Sequence, residues 1–498
     1  MTAQMTGAET HRSAKDFTRR WDVVVVGAGP GGSSCAASLA RSGLRVALLE
    51  RTTFPRDKVC GDFLSPRALA ELRTLGCLDE VLALGSPPIH HATFFLDGRR
   101  VAGGDIPQVA DWPAFGLAVP RQVLDALLAR VAQNSGAEVM ESFQVEGVAR
   151  EGRDLVVRGR RDGHAEEVRT RLVVGADGAR STVARSLTWP EPRGALSMAA
   201  MRTYAEGLSL DGSVQLFEEE FFPGYAWAFP TTFDTANVGV GVVGNQIGDD
   251  KVSLRRYFGR LENFLHAYAR RRGLAPIRIG RPQGWPIHPY DPARPFVRDG
   301  VLLIGEAAGL VDPLNGEGIP HALESGRLAA RVLREAVTAD DLSQERLLRY
   351  ESACRERFDI DLRVSDLLVA TIRNRHLAAL WMGALEVFTG LAESSPAYAR
   401  RAGGALAGVL PARDLLSPAM ILETAVRGSL LLGVGAARRA LRDPMEALSM
   451  MGGLIAGQAR LVESFLGDRS RVEEWAGEIA GKQRELARLL YGYGGRVP

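Results

Sequence analysis

The chain has 498 residues, enough at roughly 150 per domain for about three domains with a sizeable core, which excludes a peptide hormone, a lone binding module and a disulfide mini-protein. Hydrophobic residues at 46% and charged residues at 24% are ordinary globular values, so neither wholesale disorder nor a fibrous repeat fits. Sixty-one basic against 59 acidic side chains leave +2, which lacks the electrostatic footprint of a dedicated nucleic-acid binder.

Residues 1–20 are polar, with no apolar central stretch, and read as a flexible tail and not a signal peptide. Val23 to Val26 then form a β-branched run that passes into Gly27-Ala28-Gly29-Pro30-Gly31-Gly32 and a small-residue helix, Ser33 to Ser42, stopped by Gly43. A second apolar run, Arg45 to Leu49, closes on Glu50, which completes a βαβ unit. Ser65 and Pro66 open a helix with Leu69, Leu72 and Leu75 on one face, ending at Gly76.

Strands are expected at Ala92 to Leu96, after the turn Asp97-Gly98 around Val101, and at Leu117 to Val119. An amphipathic helix follows over Arg121 to Asn134, then strands over Val145 to Val157 and Leu172 to Val174. The stretch 195–290 is rich in aromatics and in alternating strand patterns, with Glu218, Glu219 and Glu220 read as a solvated turn. A long apolar strand returns at 301–304, followed by a helix over 319–337. From about 340 the chain reads as helical, with breaks near Gly403-Gly404, Pro411, Pro418, Pro444 and Gly452-Gly453.

The four cysteines, Cys35, Cys60, Cys77 and Cys354, show no spacing that suggests zinc or a redox pair, and His90, His91, His288 and His321 show no metal spacing. The expectation is reduced thiols in a cytoplasmic protein with no metal site. No run approaches the ~18–20 apolar residues that span a bilayer.

Three segments carry chemistry. Gly27, Gly29 and Gly32, with Pro30 among them, fit a dinucleotide fingerprint: a tight turn, a close backbone approach to a pyrophosphate and close helix packing. Glu50, followed by Arg51, stands where a carboxylate accepts from ribose hydroxyls. The run Val301 to Gly309 delivers Glu306 to a strand end, and Pro313-Leu314-Asn315-Gly316-Glu317-Gly318-Ile319 opens a helix whose N-terminal NH groups face whatever lies there. In physical terms that is a flavin site. Asp177 and Gly178 follow a third buried strand, and Arg121 heads its helix. Together these predict FAD on a Rossmann-type scaffold.

The fold class expected is α/β: a Rossmann-type FAD-binding domain (21–90, 120–190 and 295–340), an inserted antiparallel β-sheet substrate domain (91–119 and 191–294) and a helical C-terminal region (341–498). Apolar stripes over 414–466, around Leu415, Ile421, Leu430 to Leu432 and Leu454, predict a helical bundle over the substrate domain or a homodimer face. A weak membrane-surface contact is the alternative.

The chain resembles the geranylgeranyl-reductase-like branch of the FAD flavoproteins, which share their fold with aromatic hydroxylases and flavin halogenases. The resemblance rests on Gly27 to Gly32, Phe54 to Asp62, Ser65-Pro66, Asp177-Gly178, Gly224 to Pro230 and Gly305 to Gly318, and covers about residues 21–420. Glu306 stands where that branch usually carries Asp. Halogenases carry a paired-tryptophan segment and a differently placed lysine; here Trp227 stands alone beside Tyr225, which argues against halogenation.

The alternation of Tyr225, Trp227 and Phe229 puts three rings on one strand face. The resemblance implies that they line a pocket for long apolar alkenes, and that Cys60 lies near flavin and substrate. Three functions compete. One is reduction of a polyprenyl alkene by an FAD-dependent reductase or monooxygenase-like oxidoreductase, with NAD(P)H as donor in the reductase case. The second is a redox-neutral [4+2] cyclisation of a polyene, with FAD as a structural cofactor. The third is non-catalytic lipid carriage, as in Rab escort proteins. Cyclisation is favoured because the whole chain resembles flavoproteins of spirotetronate antibiotic pathways that build a dialkyldecalin. A pericyclic step requires no acid, base or hydride donor, so no catalytic residue is assigned.

Overall fold

The computed structural model describes residues 20–109, 111–190, 198–244, 253–406 and 410–417, and within 420–492 residues 420, 422–424, 426, 427, 467 and 469–492. The expected tail, apart from Arg20, and most of the stripes expected over 414–466 lie outside these residues.

A parallel sheet organises the first body. Its strands are β1 (Val23–Val26), β2 (Val46–Leu49), β5 (Glu138–Met140), β6 (Val173–Gly175) and β12 (Val301–Leu303), in the order β12-β6-β1-β2-β5, with Val297–Arg298 antiparallel on the outer side of β12. All four residues of β1 are buried, as a parallel strand covered on both faces requires. Helices α1 (Pro30–Arg41) and α5 (Ile319–Thr338) pack against each other beside it, and Gly326 lets them close: a Cβ there would stand 2.4 Å from the Gly31 carbonyl oxygen. Helix α1 begins at Pro30, three residues before the sequence expectation. Proline's fixed φ suits the first helical turn, where its missing N–H has no intrahelical role.

Helix α2 (Pro66–Leu75) is capped by Ser65, whose Oγ accepts from the Ala68 N–H, and ends on the left-handed Gly76. Helix α3 (Arg121–Asn134) starts at Arg121 as expected. The run expected over 145–157 is two strands, Phe143–Glu151 and Asp154–Arg161, because Gly152 turns the chain back on itself; His164–Thr170 completes this three-stranded sheet.

The second body is a larger sheet built from β3 (His91–Leu96), β4 (Arg99–Asp105), β7 (Met198–Glu206), β8 (Ser213–Phe217), β9 (Tyr225–Pro230) and β10 (Thr235–Val243), ordered β7-β10-β9-β8-β3-β4. On the β7 edge lie Arg278–Ile279 and β11 (Gln283–Ile287), both paired with β7. Pairing is antiparallel except between β8 and β3. Alternation sorts the residues by face. Ala226, Ala228, Val238 and Val240 pack under helix α4 (Leu254–Arg271) through Tyr257, Phe258, Leu261 and Leu265, while Tyr225, Trp227 and Phe229 point away from it.

Helices α6 (Gln344–Ile372), α7 (Ala378–Ser394), α8 (Pro396–Leu406) and α9 (Arg469–Gly492) form the helical region. Two expectations are corrected here. Gly403-Gly404 does not break the chain but lies inside α8, where Gly404 admits the Leu410 side chain at 2.7 Å from where a Cβ would be. Glu218 is not solvated: it is buried, with Arg260 3.5 Å away, and burial raises its carboxyl above the usual range. Among the described residues no helix is long and apolar enough to cross a membrane.

Candidate flavin and substrate site

One cavity of about 1270 Å³ runs between the two sheets. That exceeds the ~300–1,000 Å³ typical of a pocket for one small ligand, so it has room for a cofactor and a substrate together.

Its inner end is a glycine-lined cradle. Gly27 turns with φ +101°, and a Cβ on Gly32 would stand 1.9 Å from the Gly27 carbonyl oxygen, so the loop closes directly onto the first turn of α1. Gly29 has only Arg121 Nη2 within 4 Å of where its Cβ would be, at 3.7 Å, which leaves its cavity side open to a close ligand. Glu50 is buried at the end of β2; its Oε2 accepts from the Ala28 N–H at 3.2 Å and its Oε1 from Thr52 Oγ1 at 3.0 Å. Arg56 then links Glu50 (3.1 Å) to Asp125 (2.8 Å), and Arg121 Nε donates to the same Asp125 at 2.7 Å. Glu50 and Arg121 were read from the sequence as separate cofactor residues. Arg56 and Asp125, which tie them together, were not singled out, although the Arg121/Asp125 spacing of four on one helix was a signal.

The loop entering α5 and the first residue of that helix also open on the cavity, at Asn315, Gly316, Glu317, Gly318 and Ile319. Glu317 Oε1 is buried with no partner, and burial pushes its carboxyl up to about 7, with Ser65 offsetting part of that. Lys58 Nζ pairs with Glu306 Oε2 at 3.0 Å. Asp177 turns inward on its own loop, where Ser181 Oγ and the Thr182 and Val183 N–H groups all donate to it, so it shapes the loop that carries Gly178. Arg51, Pro30 and Gly178 line the cavity as well. Gly32 and Pro313 do not: Gly32 serves the turn, and Pro313 is buried behind the loop.

The outer end is apolar. Tyr225, Trp227 and Phe229 stand in a row, with ring centroids 5.9 and 6.4 Å apart, opposite Leu368, Val369 and Ile372 of α6 and Trp381 and Phe388 of α7. Trp227 Nε1 donates to Asn237 Oδ1 at 2.9 Å; Asn237 Nδ2 donates to the Cys60 carbonyl at 2.9 Å and to Asp62 Oδ2 at 2.8 Å. Tyr204 donates to the same Asp62 oxygen, and burial pushes the Asp62 carboxyl up to about 6. The loop 54–62 is thereby stapled to the larger sheet. Cys60 lines the cavity half-buried, and its sulfur accepts from the Asp62 N–H at 3.4 Å. Asp62 and Asn237 were not found from the sequence, because neither is near the other along the chain.

Among the described residues no group of three or more His, Cys, Asp or Glu could hold a metal ion.

A glycine cradle at one helix N-terminus, a second helix N-terminus on the same cavity and an open backbone at Gly29 fit a flavin dinucleotide, and the protein is a flavoprotein of Rossmann type. Residues 20–360 match the FAD binding domain family, and the chain belongs to it, with FAD as its cofactor. It is 36% identical over 336 residues to a menaquinone reductase of Mycobacterium tuberculosis, covering 63% of this chain and 76% of the relative. To a digeranylgeranylglycerophospholipid reductase of Methanothrix thermoacetophila it is 31% identical over 346 residues, 68% of this chain and 83% of the relative. A geranylgeranyl bacteriochlorophyll reductase-like protein of Thermoplasma acidophilum shares the fold, with a TM-score of 0.61 at 23% identity over 82% of this chain and 96% of the other.

Proposed function

We propose that this enzyme acts on a long apolar polyene of polyketide antibiotic metabolism, and that the reaction is an intramolecular [4+2] cyclisation forming a dialkyldecalin. The observation that carries this reading is the make-up of the outer wall. Among the described cavity residues of β3, β4, β8, β9, α6, α7 and α8, the titratable side chains are Tyr225 and Asp105. Tyr225 donates to the Asn315 carbonyl at 2.6 Å, and Asp105 is exposed and beside His91. Those elements bring no free acid or base to the cavity, and the thiol of Cys60, on the loop 54–62, lies beside them. A shaped apolar wall can hold diene and dienophile in a near-attack geometry and remove conformational entropy, a contribution of several kcal/mol, without proton transfer.

In this reading the chain's residues bind and orient. Gly27, Gly29, Glu50, Arg121 and the loop entering α5 hold FAD; Tyr225, Trp227 and Phe229 form the floor against which the polyene folds; α6 and α7 exclude water. FAD supplies a flat, rigid surface to the pocket, and in a redox reading it would supply a hydride.

Alkene reduction is the second reading, and the names of the two curated relatives favour it. It requires NAD(P)H or another donor. Mass spectrometry of the product separates the two. Ring formation with no change in mass, undiminished when NADPH is withheld, is the expected result. A product two mass units heavier, formed only with NADPH, would establish the reductase instead.

A further inference from the structure

The cavity has a third region, at its rim, that neither the nucleotide cradle nor the apolar wall uses. Arg180, on the loop after β6, lies with its guanidinium 5.2 Å from the ring centroid of Trp285 in β11. Both residues line the cavity, and Trp285 Nε1 is buried with no hydrogen-bond partner. Buried donors are nearly always satisfied, so an orphan indole N–H in a cavity wall calls for an acceptor.

Three of the described cavity cations, Arg51, Arg180 and Arg185, pair with no carboxylate, and of these Arg180 is the one that lies over the ring of Trp285. Among the described cations of the cavity, Arg56, Lys58, Arg121 and Arg202 each pair with a carboxylate. Arg185 donates to the Arg180 carbonyl and to Thr182 Oγ1, and Arg51 follows Glu50 at the cradle end. Arg180 has the face of Trp285 and no carboxylate. Stacking on an indole holds a guanidinium by its face and leaves its in-plane N–H donors free.

The sheet register shows what the rim is connected to. Trp285 pairs with Ala200, Ala200 with Gly241, and Gly241 with Tyr225, so these four residues form one row across β11, β7, β10 and β9 on the cavity face. Three strand steps at ~4.8 Å put the rim about 14 Å from the aromatic wall. Between them the row carries the methyl of Ala200 and then Gly241, whose missing side chain leaves room for the edge of the Trp227 indole, 3.7 Å from where a Cβ would be. That is a smooth track with donors at one end and aromatic rings at the other.

We propose that Arg180 and Trp285 Nε1 form a subsite for an anionic oxygen group, a carboxylate or its equivalent, at the head of an otherwise apolar substrate. The proposal rests on the polyene reading above and adds the substrate's polarity and direction. Apolar contact is non-directional and cannot set how far a chain slides along the track. A charge-assisted hydrogen bond at the rim sets that register, and with it which carbons reach Tyr225 and Trp227.

The test uses the FAD-loaded enzyme and two fluorescent probes that differ only at the head, cis-parinaric acid and its methyl ester, with Arg180→Met and Trp285→Phe as variants. Wild type should bind the acid about tenfold tighter than the ester, the worth of one charge-assisted hydrogen bond. Arg180→Met should bind both alike, at the ester's wild-type affinity. Trp285→Phe, which keeps the ring and removes the N–H, should lose part of the preference, and both variants should keep FAD at wild-type stoichiometry.

Equal binding of acid and ester by the wild type overturns the subsite and leaves the polyene reading standing. Binding of neither probe overturns the polyene reading, and the subsite with it. Loss of FAD from Arg180→Met assigns the arginine to the cofactor and overturns the proposal. Displacement of the acid, but not of the ester, by NADP+ in an Arg180-dependent manner assigns the subsite to a nicotinamide donor and also overturns it.

Discussion

Lys58 Nζ and Glu306 Oε2 are 3.0 Å apart although the residues are separated by 248 positions. The pair joins the loop 54–62 to the end of β12, and a Cβ on Gly178 would lie 3.5 Å from the carboxylate and 3.6 Å from the ammonium. The longer arm of Glu306, where the resembled branch usually carries Asp, is what reaches the lysine. Lys58→Met should therefore weaken FAD retention several-fold and loosen the loop, at a cost of about 1 kcal/mol or less because the lysine is part-exposed. Glu306→Asp should keep FAD but lose the bridge. Flavin dissociation followed by fluorescence, with limited proteolysis at Arg56, a site that both variants keep, checks both. Wild-type loop protection in Lys58→Met would refute the bridge as a constraint.

Two glycines of one loop should fail in different ways. Gly32→Ala places a methyl 1.9 Å from a carbonyl oxygen that cannot move without opening the turn, so the apoprotein should lose more than ~3 kcal/mol of stability. Gly29 has an extended backbone and free space, so Gly29→Ala should leave apoprotein stability within ~0.5 kcal/mol while abolishing FAD retention. Thermal melts of the apoproteins and flavin content separate the two effects; full flavin content in Gly29→Ala would remove that glycine from the contact surface.

Glu317 predicts a pH dependence. Its folded carboxyl, raised by burial to about 7, keeps a proton that the unfolded chain releases near 4.5. Because the native state binds more protons in that window, apoprotein stability should fall as pH rises from about 4.5 to 7, by on the order of 2 kcal/mol, and then level off. Glu317→Gln should flatten that slope, and melting temperatures of both proteins across the window provide the check. An unchanged slope would show that other groups set it.

Lys482 of α9 pairs with the buried Asp366 of α6, and Trp475 Nε1 donates to the Ala370 carbonyl at 2.7 Å. Because α6 supplies Leu368, Val369 and Ile372 to the cavity, α9 braces the apolar cavity wall from behind. Lys482→Met leaves Asp366 without its cation, at ~1–3 kcal/mol, and should speed hydrogen exchange over 469–492 and 364–372 together. Adding Asp366→Asn should restore part of the protection. Faster exchange confined to 469–492 would argue against the brace.

Local chemistry was legible in the chain before any fold was known. Val23 to Val26 running into Gly27 and Pro30, Ser65 capping Pro66, and the ring alternation from Tyr225 to Phe229 follow from near-neighbour geometry, in which turn, cap and period are set within a few residues. The same reasoning misplaced Glu218 and Gly403-Gly404, where burial and a neighbouring side chain override local preference.

What the tertiary structure alone decided is how distant groups meet: Arg56 between Glu50 and Asp125, Asn237 between Trp227 and Asp62, Lys58 on Glu306, Arg180 on Trp285. Each contact spans separate elements and depends on how two sheets and a helical layer pack. Charge pairing and hydrogen-bond satisfaction act through space and leave no period along the chain. The amino-acid sequence by itself determined the cofactor class, through glycines that must sit next to one another; the shape of the cavity wall was decided only when β11, β7, β10 and β9 came into register.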